Sequence, residues 1–393
     1  MDINDVLISL LRAKVFGREI DKKKLAELTA DELNELYKLS VSHDVAHLVG
    51  AALIESGALD AKEKARDVFS TAHMLAAFRV RRLTDELNQV SALFEREGIT
   101  HIALKGSVLR NYYPEPWMRT SCDIDILVKK ESVERAKELL VGSLEYKYLS
   151  KTGHDMGFDS PTGVHLELHF ALIEDTILTQ SHPILCSVWE SAVLVAEKKY
   201  TYAMTDEMFY FYHIVHMAKH FLKGGCGIRA VLDLCILRKF VPHSREKREK
   251  LVAEADFSDF EAGISRLGEI WFDNGGDEHD EHTLLLEKNI FSGGLYGTLE
   301  KGVHFDVVKS KSKARYLLVR IFPPYKTMQN IYPSLEKHKF LLPLYYIRRW
   351  FRVVFGGGAK KAKVRISEWK NMDREEINEA SRLLNYLGLD RAK

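Results

Sequence analysis

Residues 104–128, LKGSVLRNYYPEPWMRTSCDIDILV, end in an apolar segment that carries two aspartates. Alternate residues of a β-strand share a face, so Ile124 and Ile126 point to one side while Asp123 and Asp125 point together to the other. This arrangement has two interpretations. The aspartates form the solvated face of an ordinary half-exposed strand, or they hold a cation. The segments on either side of this strand help to distinguish the two.

A second segment repeats the alternation. In VHLELHFAL, residues 164–172, apolar side chains alternate with His165, Glu167 and His169, and a Pro-Thr-Gly turn before it predicts a hairpin with residues 153–160. If this strand lies beside the aspartate strand, three carboxylates converge on one surface. Like charges so close together resist joint ionisation unless a cation neutralises them. Hard oxygen ligands of this kind suit Mg²⁺, which usually shares its coordination shell with substrate phosphates.

The upstream segment strengthens the cation interpretation. A predicted strand at residues 99–104 passes through Lys105-Gly106-Ser107 into a helical turn, where backbone N–H groups and the serine hydroxyl can bind a phosphate. This Gly-Ser pair, the Asp-x-Asp strand and the later apolar-acid-apolar strand resemble the signature of the DNA polymerase β-like nucleotidyltransferase superfamily. The sequence pattern LKG…DIDILV, followed by HLELHF, is similar to that of the family of uncharacterised bacterial nucleotidyltransferases. The resemblance covers most of the chain.

The resemblance implies a phosphate-binding role for one set of residues. Gly106 and Ser107 match the superfamily pair that holds the β and γ phosphates of a nucleotide. Lys105 fits the Lys-Gly of this family, and its role is less defined. Arg119 fits the family arginine before the acidic strand, where a phosphate contact and a salt bridge to the acids remain alternatives.

The resemblance implies a metal-binding and catalytic role for a second set. Asp123 and Asp125 match the pair that binds two divalent metals, and Glu167 matches the third acid. In active members that acid ligates the catalytic metal and can help to deprotonate the acceptor. The cofactor implied is Mg²⁺, with Mn²⁺ as an alternative.

Helical periodicity surrounds this α/β unit. Residues 1–97 predict a helical region, residues 98–203 the nucleotidyltransferase core with a small mixed sheet, and residues 204–393 a C-terminal helical domain. The predicted fold class is therefore α+β, with a polymerase β-like core framed by two helical regions. The letters DNGGDEHDEH at 273–282 lack ordered ligand spacing and predict a solvated loop.

The first C-terminal helix carries histidines on one stripe. His213, His216 and His220 recur at helical spacing, and Asp233 on the next helix could complete a zinc site. The favoured alternative is a polar seam between the two helices, in which Asp233 bonds a histidine. In the superfamily that the chain resembles, helices after the acidic strands supply cations to the triphosphate. The resemblance therefore implies this role for Lys219 on the same helix and Arg229 at the start of the next.

Charge is balanced overall but uneven along the chain. The 57 Lys and Arg residues face 56 acids, whereas residues 309–365 hold fifteen Lys or Arg and one acid, Glu336. With their aromatic neighbours these cations could contact a polyanion or a membrane surface. A helical domain with a positive solvent face is the simpler interpretation.

No run of 18 apolar residues predicts a membrane span, and residues 1–20 do not resemble a signal peptide. The four cysteines show no CxxC or zinc spacing, so the predicted location is the cytoplasm.

The sequence thus predicts a Mg²⁺-dependent nucleotidyltransferase. It would move a nucleoside monophosphate from an NTP to a hydroxyl-bearing acceptor, which is a small molecule, a protein side chain or an RNA end. Two rivals remain: a non-catalytic nucleotide-binding or partner-binding scaffold of the same fold, and a polyanion-binding or membrane-surface helical protein whose α/β unit is incidental. The base of the NTP and the identity of the acceptor are not encoded in any motif.

Overall fold

The computed structural model describes residues 2–174, 177–242, 244–273, 279–356 and 358–391. Its N-terminal helices are α1 (Ile3–Phe16), α2 (Lys22–Ala26), α3 (Ala30–Ser42), α4 (Ala46–Ser56) and α5 (Glu63–Arg96). Thr29 and Glu32 form a capping box at the start of α3. Asp44, between α3 and α4, adopts a left-handed φ of 55°, so the helical segment after Thr29 is two helices.

One mixed sheet follows. Its strands in the described residues are β1 (His101–Ala103), β2 (Asp123–Val128), β3 (Lys147–Lys151), β4 (Asp155–Asp159), β5 (His165–His169), β6 (Val193–Leu194) and β7 (Thr201–Ala203), in the order β3-β4-β5-β2-β1-β7-β6. β4 and β5 are the predicted antiparallel hairpin. β5 runs parallel beside β2, and β1 pairs antiparallel with β2 and parallel with β7.

The apolar face of the sheet packs under α5 and α7 (Val133–Ser143). Ile124 and Ile126 of β2, with Leu166 and Leu168 of β5, are fully buried there. The alternation of these strands predicts this face correctly, because apolar residues two apart must share one environment.

On the opposite face of the sheet lies α10 (Asp206–Leu222), one of the helices that follow α7 in the described residues. These helices are α8 (His182–Cys186), α9 (Val188–Ser191), α10 (Asp206–Leu222), α11 (Ile228–Phe240), α12 (Arg245–Glu254), α13 (Ser258–Phe272), α14 (Glu281–Phe291), α15 (Leu299–Lys309), α16 (Lys313–Ile321), α17 (Tyr325–Ile331), α18 (Leu342–Phe355), α19 (Ala359–Asn371) and α20 (Arg374–Tyr386). Side chains of α10 and the polar face of β2 and β5 line a common cavity. Asp125 is 2% exposed and His169 1% exposed. The solvated-strand interpretation is therefore wrong for these two residues.

One detail of the C-terminal region differs from what its sequence suggests. The sequence GGGAKKAKVR at 356–365 is typical of an exposed connection, but the residues after 358 belong to the helix α19. The 273–282 loop prediction falls largely on residues 274–278, which lie outside the described residues, although Asp280 caps α14.

The α+β class with flanking helices is confirmed. One hydrophobic cluster contains Leu7 of α1, Ile102 of β1 and Phe211 of α10, so both helical regions share a core with the sheet. The predicted boundaries near residues 97 and 203 stay predictions. In the part of the chain that the structure describes, no helix is both long and apolar enough to cross a bilayer.

Candidate active site

Asp125 and Glu167 lie opposite each other on neighbouring parallel strands. The register of β2 and β5 pairs Asp125 with Glu167 and Asp123 with His165. All three predicted carboxylates line one cavity of about 420 Å³, between the polar face of the sheet and α10. A larger cavity of about 510 Å³ beside α1 is lined by none of the predicted site residues. The convergence of carboxylates expected from the sequence is therefore present.

The ammonium group of Lys105 lies between two of these carboxylates. Its Nζ is 2.5 Å from Asp125 Oδ1 and 3.4 Å from Glu167 Oε2. Lys105 joins β1 to the short helix α6 at Gly106–Leu109 with φ 47°, a conformation that costs a non-glycine residue about 1–3 kcal/mol. A Cβ at Gly106 would lie 2.8 Å from Ser121 Cβ, so glycine is required at this close approach. The turn after β1 is thus strained and tightly packed in a conformation that places Lys105 on the acids.

His169 also contacts both acids. Its Nε2 is 2.9 Å from Asp125 Oδ1 and 3.2 Å from Glu167 Oε2. Burial acts to lower the pKa of His169, as does Lys105, but the contacts to the two acids outweigh them and raise it. The other ring nitrogen, Nδ1, is buried and has no hydrogen-bond partner among the described residues. His169 therefore fixes the orientation of both carboxylates, as hydrogen-bonding partners of the ligand residues do in metal sites.

The three acids differ in their protonation. Burial raises the pKa of Asp123 to about 6, and the charge of Asp125 acts in the same direction. Burial acts on Asp125 as well, but Lys105 and His169 outweigh it and lower its pKa. The hydrogen bond from His169 lowers the pKa of Glu167. At neutral pH, Asp125 and Glu167 are held as carboxylates, the form that binds a cation.

The donor set fits a hard divalent cation. Donor atoms of Asp125, Glu167 and His169 lie within 4.8 Å of one another, and Asp123 lines the same cavity. Carboxylate oxygens predominate, as Mg²⁺ and Mn²⁺ prefer. His154 and Asp155 form a second such group with His169. Each group has an ammonium of the protein beside it, since Lys219 Nζ lies 3.5 Å from His154 Nε2 just as Lys105 Nζ lies beside Asp125 and Glu167.

Lys219 lies in the same cavity, on α10. Its Nζ is 3.9 Å from Glu174 Oε1, and the Lys223 Nζ lies 3.8 Å from the same oxygen. Burial, reinforced by the charge of Lys223, lowers the pKa of Lys219 to about 8. Lys219 therefore remains mostly protonated at neutral pH in a cavity that also contains the acids. An anionic ligand would find a charged donor here.

Arg119 has a partner that the sequence analysis did not assign to it. Its Nε is 2.7 and 3.0 Å from the two carboxylate oxygens of Asp233 on α11, and the Tyr113 hydroxyl donates to the same carboxylate at 2.7 Å. The contacts with Asp233 pair this buried guanidinium without either expected partner, a phosphate or the acids of β2. The expectation that Asp233 bonds a histidine is also wrong. The pair ties the loop before β2 to the C-terminal helices.

Arg229 is placed at the cavity wall as predicted, at the first turn of α11. It forms an ion pair with Asp44, which also lies 3.6 Å from Arg79. Its guanidinium donates weakly to the Thr120 carbonyl at 3.4 Å. Arg229 thus links the N-terminal helices to the loop that enters β2.

The histidine stripe of α10 faces the cavity. His216 and His220 approach each other at 3.2 Å between their Nε2 atoms, and burial lowers the pKa of both. In the described residues these histidines and Asp233 form no cluster with metal-ligand spacing. The zinc alternative is unsupported, and the stripe forms a neutral polar wall.

Ser107 and Gly106 differ in their position relative to the cavity. Ser107 is buried and does not line the cavity formed by the described residues, whereas Gly106 does. Conversely, the predicted site set omits His169, His154 and Glu174. The alternation of HLELH places His169 on the acidic face and could have included it. Glu174 follows β5 in a loop and belongs to no recognisable motif.

Comparison with known proteins assigns the chain to a family. A family model described as uncharacterised nucleotidyltransferase matches residues 29–273, more than half of the chain, so the protein belongs to that family. No curated protein matches the chain.

A solved structure, an antigenic nucleotidyltransferase-like protein from Paracoccidioides brasiliensis, is similar over 44% of this chain and 86% of its own. The sequence identity is 15% and the TM-score 0.29. At this level the similarity carries no argument about activity.

Proposed function

We propose that this protein is a nucleotidyltransferase dependent on Mg²⁺, or alternatively Mn²⁺, that moves a nucleoside monophosphate from an NTP to a hydroxyl-bearing acceptor and releases pyrophosphate. One observation carries the proposal: Asp125 and Glu167, both held ionised, face each other across β2 and β5 in a cavity that also contains Lys219 and Arg229. Membership of the family supports nucleotidyl transfer in general.

The metal would be held by Asp123, Asp125 and Glu167. When bound, it supplies charge neutralisation at the transferred phosphoryl group and the leaving pyrophosphate. The Lys105 ammonium already balances part of the negative charge of these acids. His169 holds Asp125 and Glu167 in fixed orientations, so the cation ligands are pre-organised.

A second group of residues would bind the phosphates. Lys219 and Arg229 both line the cavity, although the Arg229 guanidinium also pairs with Asp44, and the backbone N–H of Gly106 lies at the start of a helical turn. Ser107 stays a predicted phosphate contact, although it does not line the cavity within the described residues and its backbone N–H donates to the Leu104 carbonyl at 3.3 Å. Arg119 acts indirectly, by fixing the loop before β2 through Asp233.

The transfer step is an in-line displacement. The acceptor oxygen forms a bond to the α-phosphorus while the bond from that phosphorus to the bridging oxygen breaks, and its electron pair leaves with pyrophosphate. The acceptor hydroxyl proton passes to a site carboxylate. Glu167 is the candidate because its side chain is 31% exposed, against 3% for Asp125.

The test is incubation of the protein with each labelled NTP, Mg²⁺ or Mn²⁺, and fractionated cell extract. Transfer of label and release of pyrophosphate should require the divalent ion and should vanish in Asp125→Asn and Glu167→Gln. Asp159→Asn is the matched control, because Asp159 lies on β4 with a half-exposed side chain that contacts His165. Transfer that persists in Asp125→Asn would contradict the proposal.

The non-catalytic scaffold remains the second candidate, on one observation. Lys105 already places a cation between Asp125 and Glu167, which suffices to stabilise the acids without a metal. A scaffold should bind NTP in calorimetry with the same affinity with and without Mg²⁺ and release no pyrophosphate with any extract fraction. Mg²⁺-dependent release of pyrophosphate excludes it.

A further inference from the structure

We propose that α18 and the basic segments beside it bind the surface of an anionic lipid bilayer. The inference is independent of nucleotidyl transfer. It rests on the side chains that α18 exposes, on those that attach it to the protein, and on the charge of the surrounding stretch, residues 309–365.

α18 has no buried side chain, although most of its residues are apolar or aromatic. Its large exposed apolar residues recur at helical spacing and form a single stripe: Leu344, Ile347, Phe351, Val354 and Phe355. Phe351 and Phe355 are 61% and 78% exposed, and their rings stack at 5.8 Å. Phe340, just before the helix, is 78% exposed as well.

A different face of α18 attaches the helix to the protein. The Trp350 indole donates to the Ile321 carbonyl at 2.9 Å, and the Tyr346 hydroxyl donates to the Pro323 carbonyl at 2.8 Å. The Tyr345 and Tyr332 rings contact in a tilted arrangement at a centroid distance of 4.7 Å. The aromatic face of α18 is therefore the face that packs against the rest of the protein. The apolar stripe from Leu344 to Phe355 remains available to contact another surface.

The cations lie beside the stripe. Arg348 and Arg352 place their guanidinium groups 5.5 and 5.4 Å from the Tyr332 ring centroid, at one edge of the apolar stripe. Residues 309–365 hold fifteen Lys or Arg and one acid, whereas the rest of the chain holds 42 Lys or Arg and 55 acids. Among the side chains described in this stretch, Arg320 and Arg365 have a carboxylate partner, Asp306, and the other cations have none within 4.0 Å.

Aliphatic and aromatic side chains next to uncompensated cations match the boundary between anionic headgroups and acyl chains. Nucleic acid would use the cations and stacking aromatics but would leave Leu344, Ile347 and Val354 in water. The fourteen residues of α18 extend about 21 Å, which is too short to span a bilayer. The helix is thus expected to lie in the plane of the surface.

The test is flotation of the full chain with vesicles of phosphatidylcholine alone or with added phosphatidylglycerol. The protein should float with the anionic vesicles, and added salt should release it by screening the cations. Phe351→Ser combined with Phe355→Ser should weaken binding by roughly a hundredfold, since each ring contributes on the order of tenfold when buried in lipid. Phe78→Ser is the matched control: Phe78 on α5 is 64% exposed and lies outside the basic stretch, so its loss should have no effect.

Three results would overturn the inference. These are equal binding to neutral vesicles, undiminished binding by the double serine variant, and binding of single-stranded RNA or dimerisation through the stripe in place of vesicle binding. Asp125→Asn should float like the wild type. If Asp125→Asn floats but transfers no nucleotide, the surface proposal and the catalytic proposal are separated.

Discussion

Replacing the two aspartates of β2 by asparagine should change stability in opposite directions, although both replacements should abolish nucleotidyl transfer. Burial and the charge of Asp125 raise the pKa of Asp123 to about 6. For Asp125, burial is outweighed by Lys105 and His169, which lower its pKa. At pH 8 the negative charge on Asp123 therefore destabilises the folded state, whereas the negative charge on Asp125 stabilises it.

The magnitudes follow from these shifts. A pKa raised by about two units disfavours the Asp123 carboxylate by up to about 3 kcal/mol, and its partial exposure reduces this, so Asp123→Asn should gain about 1–3 kcal/mol at pH 8. A carboxyl whose pKa is raised in the fold makes wild-type stability fall as pH rises from about 4 to 6. The gain from Asp123→Asn should therefore shrink below pH 6 and vanish below about pH 4. Asp125→Asn leaves the Lys105 ammonium facing a neutral amide and should lose about 3 kcal/mol.

Urea unfolding at pH 4 and pH 8, with and without millimolar Mg²⁺, measures both effects. Mg²⁺ should stabilise the wild type at pH 8 and leave Asp123→Asn unchanged, because the variant lacks a ligand. Asp159→Asn, with a half-exposed side chain on β4, should stay within about 0.5 kcal/mol of the wild type. If Asp123→Asn is destabilising at pH 8, or if both site variants shift in the same direction, the assigned roles of the two carboxylates are wrong.

Three further outcomes are expected. Mg²⁺ affinity, measured by the Mg²⁺ dependence of unfolding, should weaken by up to about tenfold per pH unit below pH 6, because a proton competes for Asp123; a constant affinity from pH 5 to 8 contradicts this. Lys219→Met should raise KM for NTP about tenfold at pH 7. The wild-type KM should rise toward that of the variant above about pH 8, where Lys219 loses its proton. A wild-type KM that does not change with pH argues against a phosphate contact. Arg119→Lys should lower the unfolding free energy by about 3 kcal/mol through loss of the buried pair with Asp233; unchanged stability with a raised KM would assign Arg119 to phosphate instead.

The sequence predicts the acidic face well, because strand alternation is a local property. Asp123, Asp125 and Glu167 share that face through a period of two, and β5 lies beside β2 as their common pattern suggests. The same rule misses β6 and β7, which are two and three residues long and too short to show alternation.

The environment of these acids is not local, and the sequence analysis could not supply it. Alternation predicts that Asp125 points away from Ile124 and Ile126, but not that α10 covers it. Likewise, Arg119 precedes the acidic strand, yet its partner is Asp233, and no periodicity relates positions that far apart.

The helix α19 was missed for a different reason. The three glycines at 356–358 are typical of a connection, and the charge cluster after them suggests exposure. The alanine, lysine and arginine residues of that cluster nevertheless have high helix propensity, and the helix also packs through contacts such as the bond from the Trp369 indole to the Lys313 carbonyl.

The Arg119–Asp233 pair has a consequence for the order in which the protein is synthesised. Its members are 114 residues apart, while Lys105 and Asp125 are only 20 apart. A chain emerging from the ribosome can therefore pair Lys105 with Asp125 early, but Arg119 has no Asp233 until α11 has been made. Until then the loop before β2 must keep its guanidinium in water and cannot adopt its buried position. Completion of the site is thus a late event in biosynthesis, and nascent chains stalled before residue 233 should be open to proteolysis in that loop.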